Sequence, residues 1–163
     1  MSPTIIEKAA RARAAVPGRR GREQRLVGHA LAFWDDLRGN RLMPSLGDVD
    51  EAVAPFDETH VYVVEIRASE HEDAMVRAGA GVVDALGRDP VGMAAIEVLP
   101  SATEMGLSYC RAAAQIRKPI ADVGRFTNAR GKDVRYRSML LPLSDDEETV
   151  NYVMGVFTYK LTG

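Results

Sequence analysis

Residues 134–143 read VRYRSMLLPL, residues 144–149 read SDDEET and residues 150–161 read VNYVMGVFTYKL. The flanking runs are β-branched, aromatic and leucine-rich, and the six residues between them are polar and acidic. That pattern predicts two antiparallel strands joined by a turn. A strand buried on one face alternates apolar with polar side chains. The segments SMLLPL and YVMGVF do not alternate, so the sheet they belong to is expected to be covered on both faces.

Working outward, IADVGRFTN (120–128) and the turn ARGKD add a third strand and complete a meander. Earlier in the chain, HVYVVEIRA (60–68) is strand-like, and AMVRAG (74–79) is its hairpin partner across the polar turn SEHED. AGVVDALG (80–87) reads as a short helix closed by Gly87. A longer helix is predicted over 101–118, from the capping-box spacing of Ser101 and Glu104 to the stop at Pro119. A third helix spans 22–38: Leu26, Ala30, Phe33, Trp34 and Leu37 share one face, and Gly39 ends it. The turn-rich stretch 43–57 has room for a single helical turn near 48–53. Together these give an α+β domain, a five-stranded antiparallel sheet with helices on one face. The amphipathic helix 22–38 is the cover for the other face, in its own chain or in a dimer.

Composition narrows the function. Of 163 residues 46% are apolar and 27% charged, which fits one folded domain. The net charge of −2 divides unevenly: residues 1–25 hold seven Lys/Arg against Glu7 and Glu23. Residues 1–21 are therefore expected to form a flexible basic arm, and 22–163 the domain. The remainder is acidic, which favours protein partners over nucleic acid. The single cysteine, Cys110, suits a reducing compartment. With no apolar run long enough to span a bilayer and no secretory leader, the expectation is a cytoplasmic protein without membrane contact.

Three stretches resemble a known family: FWDDLRGNRLMPSLGDVD (33–50), VVDALGRDPVG (82–92) and SMLLPLSDDEETVNYVMG (138–155). Together with the strand order they are similar to the single-PAS-domain proteins of alphaproteobacteria, over roughly residues 25–161. The resemblance implies the PAS fold and a sensor or adaptor role. It also implies a homodimer and a signalling partner such as a histidine kinase or response regulator. The departure lies at 69–79, polar and small here where the family carries an aromatic-rich strand. A ligand in such a fold sits between the long helix and the sheet. Cys110, Ala113 and Ala114 on the helix and Met139 and Met154 on the strands are the expected pocket residues, with 138, 140, 153 or 155 replacing the methionines if the strand phase is the other one.

His29, His60 and His71 are scattered, so no metal site is expected. Haem is set aside because helix 101–118 lacks an axial histidine. Flavin is set aside because Cys110 does not lie in an asparagine-cysteine-arginine-phenylalanine run. An unidentified small molecule remains the expected ligand. Tyr62, Asp84 and Asp122 are the acid–base candidates for a small-substrate enzyme on a similar fold, the alternative reading along with a ligand-free oligomerisation module. The acidic run Asp145–Glu148 reads as a solvated turn. Arg125, Arg130, Arg135 and Arg137 either bind an anion or pair with acidic neighbours across strands. The main expectation is a binding and relay domain, not a catalyst.

Overall fold

The computed structural model describes residues 21–102 and 107–162. The chain order is α1 (Gly21–Arg38), α2 (Leu46–Glu51), β1 (Val61–Glu65), β2 (Ala74–Ala78), α3 (Ala80–Leu86), α4 (Ala95–Val98), β3 (Ser101–Ala102), β4 (Leu107–Ser108), α5 (Tyr109–Ile116), β5 (Ile120–Thr127), β6 (Asp133–Leu143) and β7 (Tyr152–Thr162). The five long strands form one antiparallel sheet in the order β2-β1-β7-β6-β5, and β3 pairs with β4. The α+β expectation holds. The basic arm expected over 1–21 lies outside the described residues except at Gly21, which opens α1.

The predicted helix over 101–118 is corrected. Ser101 and Ala102 pair with Ser108 and Leu107 as a two-stranded ribbon, and the helix starts only at Tyr109. Its true N-cap is Ser108, whose Oγ accepts the Arg111 amide at 3.1 Å. The capping box expected from Ser101 and Glu104 lies partly outside the described residues. α5 closes on Arg117 in the left-handed region (φ 58°).

Register separates the two sheet faces. Tyr62, Asp122, Tyr136, Ser138, Leu140 and Phe157 point to the side of α5 and surround one void with it. Their odd–even opposites Val61, Val63, Met139, Leu141, Met154 and Val156 form the other side, where a cavity of about 340 Å³ separates α2 from Val61, Val63 and Met154. We call these the inner and outer faces.

α1 packs on β6 and β7 of its own chain. Ala30 is fully buried and Trp34 only 6% exposed, with Leu26 and Leu37 at the half-buried edges. Phe33 meets Phe56 edge-on at 5.4 Å, and Trp34 Nε1 donates to the Pro142 carbonyl at 2.7 Å. Covering both faces explains why SMLLPL and YVMGVF do not alternate. Of the stripe Leu26, Ala30, Phe33, Trp34 and Leu37, the three central residues are buried on the chain's own sheet.

Candidate functional site

α5 is a short helix of small residues laid on the sheet, with Cys110, Ala112 and Ala113 buried. Between it and the inner face lies a void of about 20 Å³ lined by Tyr62, Ala95, Leu99, Pro100, Ser108, Tyr109, Cys110, Asp122, Tyr136, Ser138, Leu140 and Phe157. That is room for roughly one water.

Hydroxyl, thiol and carboxylate groups gather round this void. Tyr136 donates to Asp122 Oδ2 at 2.5 Å, and the Tyr62 and Cys110 side chains are in hydrogen-bond contact. Asp122 and Ser138 face each other across β5 and β6. Burial, then the neighbouring Asp122 charge, pushes the Tyr136 phenol far above its ordinary range. Burial likewise raises Tyr62, and it raises the Cys110 thiol to about 12, with the Asp73 charge adding to the effect. Both phenols and the thiol are therefore protonated at neutral pH and available as donors.

An aromatic row runs along the same face. Tyr136 and Tyr159 each stack on Phe157, with ring centres 5.6 and 5.8 Å away, and Tyr62 meets Phe157 edge-on. Tyr159 carries the row to α3, donating its hydroxyl to Asp84 Oδ2 at 2.5 Å.

Of the five expected pocket residues, only Cys110 lines the void. Ala113 is buried on α5 without reaching it, and Ala114 is half-buried beyond its edge. Met139 and Met154 are corrected as residues of this void, because they lie on the outer face, where Met154 borders the cavity beside α2. The other phase is realised: Ser138 and Leu140 line the void, and Gly155 faces Tyr62. Sequence reading missed Tyr136 and Phe157 as lining residues, since an apolar outer face hid the alternation of the inner one. Of the acid–base candidates, Tyr62 and Asp122 share the void, whereas Asp84 is held outside it by Tyr159.

One buried ion pair ties α5 to the sheet. Arg111 Nη2 donates to Asp73 Oδ1 at 2.6 Å, with Asp73 1% exposed. Asp73 Oδ1 also accepts the Arg67 amide at 2.8 Å, and Glu70 accepts the Ser108 amide at 2.8 Å. The start of α5 is thereby anchored to the segment between β1 and β2. The acidic run 145–148 is held by its own backbone: Asp146 Oδ1 accepts the amides of Glu148 and Thr149. Among the described residues, no group of three or more His, Cys, Asp or Glu side chains can hold a metal ion, and no helix is long and apolar enough to cross a membrane.

No family model matches the chain, and no curated protein matches it. Solved structures do. The Rhodobacter sphaeroides LOV protein shares 15% identity at a TM-score of 0.50, over 61% of this chain and 57% of its own. The chain thus spans under two thirds of that relative's length. The light-state Aureochrome1 LOV structure shares 12% identity over 63% of this chain and 82% of its own, at 0.50. The LOV domain of the Erythrobacter litoralis EL346 blue-light activated histidine kinase shares 14% over 63% and 95%, also at 0.50.

These neighbours correct the expectation that set flavin aside. They are light-oxygen-voltage domains, among them a blue-light photoreceptor and a blue-light activated histidine kinase. A missing sequence run is therefore no ground for setting flavin aside in a chain of this architecture. The void of about 20 Å³ does not hold a tricyclic ring with its lining side chains placed as they are. The chain has the PAS fold, with the five-stranded antiparallel sheet and flanking helices of these domains.

Proposed function

We propose that the chain is a PAS-type sensor or adaptor that takes a small molecule between α5 and the inner face and relays this to a partner protein. One observation carries the reading: the polar groups of Tyr62, Cys110, Asp122, Tyr136 and Ser138 converge on a void otherwise walled by Leu99, Leu140 and Phe157. A ligand larger than water displaces the rings, and β6 and β7 carry that displacement to α1 on the outer face. No catalytic step is assigned: of the acid–base candidates Tyr62 and Asp122 share the void, but Asp84 is held outside it by Tyr159.

The partner is a signalling protein such as a histidine kinase or response regulator in a bacterial regulatory circuit. Support comes from the resemblance to alphaproteobacterial single-PAS proteins and from a fold neighbour that is itself part of a histidine kinase. A cytoplasmic homodimer belongs to this reading. Its contact surface is not the buried stripe of Ala30, Phe33 and Trp34.

The smallness of the void favours a second reading, a ligand-free interaction module. Native mass spectrometry of the full chain separates the two. The sensor reading expects a bound mass in the wild type that is lost in Ser138→Leu. A folded wild type with no added mass supports the ligand-free module, and the same spectrum reports the subunit count.

A further inference from the structure

The outer face carries two openings among the described residues. One, of about 340 Å³, lies between α2 and Val61, Val63 and Met154; the other is a groove of about 320 Å³ at the end formed by Val123, Arg125, Arg135, Arg137, Thr158 and Lys160. Register fixes its charge pattern. Arg125 on β5 faces Arg135 on β6, and Arg135 faces Lys160 on β7. Directly opposed residues of antiparallel strands stand about 4.5–5.5 Å apart at Cβ, and like charges there repel. Three cations thus cross the sheet in one row. All three are exposed, and among the described residues none of them makes an ion pair.

The neighbouring rows hold one carboxylate, Asp133, and among the described residues it makes no ion pair with them. One is Val123, Arg137 and Thr158; the other is Thr127, Asp133 and Thr162. The Asp133 carboxylate accepts the Thr127 hydroxyl at 3.2 Å. A second, independent feature marks the groove: Thr158 Oγ1 is shielded from solvent and has no hydrogen-bond partner among the described residues. A sheet that keeps opposed cations and an orphan hydroxyl side by side is arranged for an anion from outside.

We propose that this groove binds a phosphate-bearing small molecule with two or more negative charges. The row spans two strand spacings, roughly 10 Å, which suits a chain of phosphates better than one carboxylate. Guanidinium forks match phosphate oxygens bidentately, and the Thr158 hydroxyl supplies a neutral donor. Net attraction is local, since the chain carries −2 overall. Tyr136 borders both this groove and the α5 void, but the row of Arg125, Arg135 and Lys160 lies on the opposite face, so the proposal does not rest on the sensor reading.

Tripolyphosphate, inorganic phosphate and sodium chloride at matched ionic strength, each added to the full chain, provide the test. The expected result is a saturable rise in Tm of roughly 3–8 °C with tripolyphosphate, larger than with inorganic phosphate. Amide NMR shifts should fall at 123–125, 135–137 and 158–160. Arg135→Gln should abolish the saturable rise and, by removing the middle cation, leave the ligand-free protein as stable or more so. Lys160→Gln should weaken the response in the same direction. An equal effect from chloride, an unchanged response in Arg135→Gln, or shifts confined to the basic residues 8–25 would overturn the proposal. A polyglutamate peptide that produces the same shifts at lower concentration would overturn it in favour of a protein surface.

Discussion

Tyr136 on β6 reaches along the sheet over Gly124 and donates its hydroxyl to Asp122 Oδ2 on β5 at 2.5 Å, inside the inner face. A Cβ at residue 124 would stand 3.0 Å from that hydroxyl oxygen, so the glycine gives the ring its path. Tyr136→Phe takes one donor from a buried carboxylate. We expect a loss of about 1–3 kcal/mol in urea unfolding. An unchanged midpoint and slope would show that the bond contributes nothing.

Gly155 plays the corresponding part on β7. The Tyr62 ring lies across it, and a Cβ there would overlap the ring. Gly155→Ala should therefore force Tyr62 off its rotamer, at a cost of about 1–3 kcal/mol. The same substitution made in a Tyr62→Ala background should cost clearly less. Equal costs in the two backgrounds would mean that the crowding lies elsewhere.

These two glycine–tyrosine pairs show where sequence reading succeeds and where it stops. The meander was legible because VRYRSMLLPL and VNYVMGVFTYKL are strand-like over ten residues and more, with an unmistakable turn between them. Two-sided coverage was legible from the loss of alternation in the same segments. That loss also erased the phase, and so Met139 and Met154 were assigned to the wrong side. Helix 101–118 was overextended because a Ser-x-x-Glu spacing occurs outside helices too; here Ser101 pairs with Ser108 in the short ribbon. Nothing local links Asp73 to Arg111, 38 residues apart, so that pair was invisible before the fold.

Removing Arg111 should be among the most damaging single changes. Arg111→Ala leaves the Asp73 carboxylate buried without its cation, and we expect about 3–5 kcal/mol of destabilisation. A double replacement by apolar residues of similar volume, Asp73→Leu with Arg111→Met, should recover part of that loss. If the double variant is worse than Arg111→Ala alone, the pair is a net stabiliser and not a pin on the position of α5.

Cys110 should be chemically quiet. Its thiol is buried and raised to about 12, so the reactive thiolate is scarce at pH 8. Alkylation by iodoacetamide should be slow in the native protein and at least tenfold faster in urea. Equal rates would mean that the space between α5 and the sheet opens freely.

Acid should weaken the start of α2. Hydrogen bonding from the Ser45 backbone, then from Arg41, lowers the Asp48 carboxyl below its ordinary value. A carboxyl depressed in the folded state contributes stability above its unfolded pKa, and that contribution is lost as pH falls through the folded value. Stability should therefore decline between about pH 5 and pH 2, and Asp48→Asn should flatten the decline. An identical acid profile in the variant would remove Asp48 from the account.

Communication between the α5 void and α1 through the sheet is reported directly by the chain's single tryptophan. Trp34 sits on α1 and donates to the carbonyl of Pro142 on β6, the strand that also carries Ser138 into the void. Ser138→Leu fills the void from the inner side without touching α1. In a variant with native far-UV circular dichroism, the account predicts a shift of the Trp34 emission maximum by several nanometres, on the order expected for a change in local packing and hydrogen bonding. Emission spectra that superimpose on the wild type would contradict it.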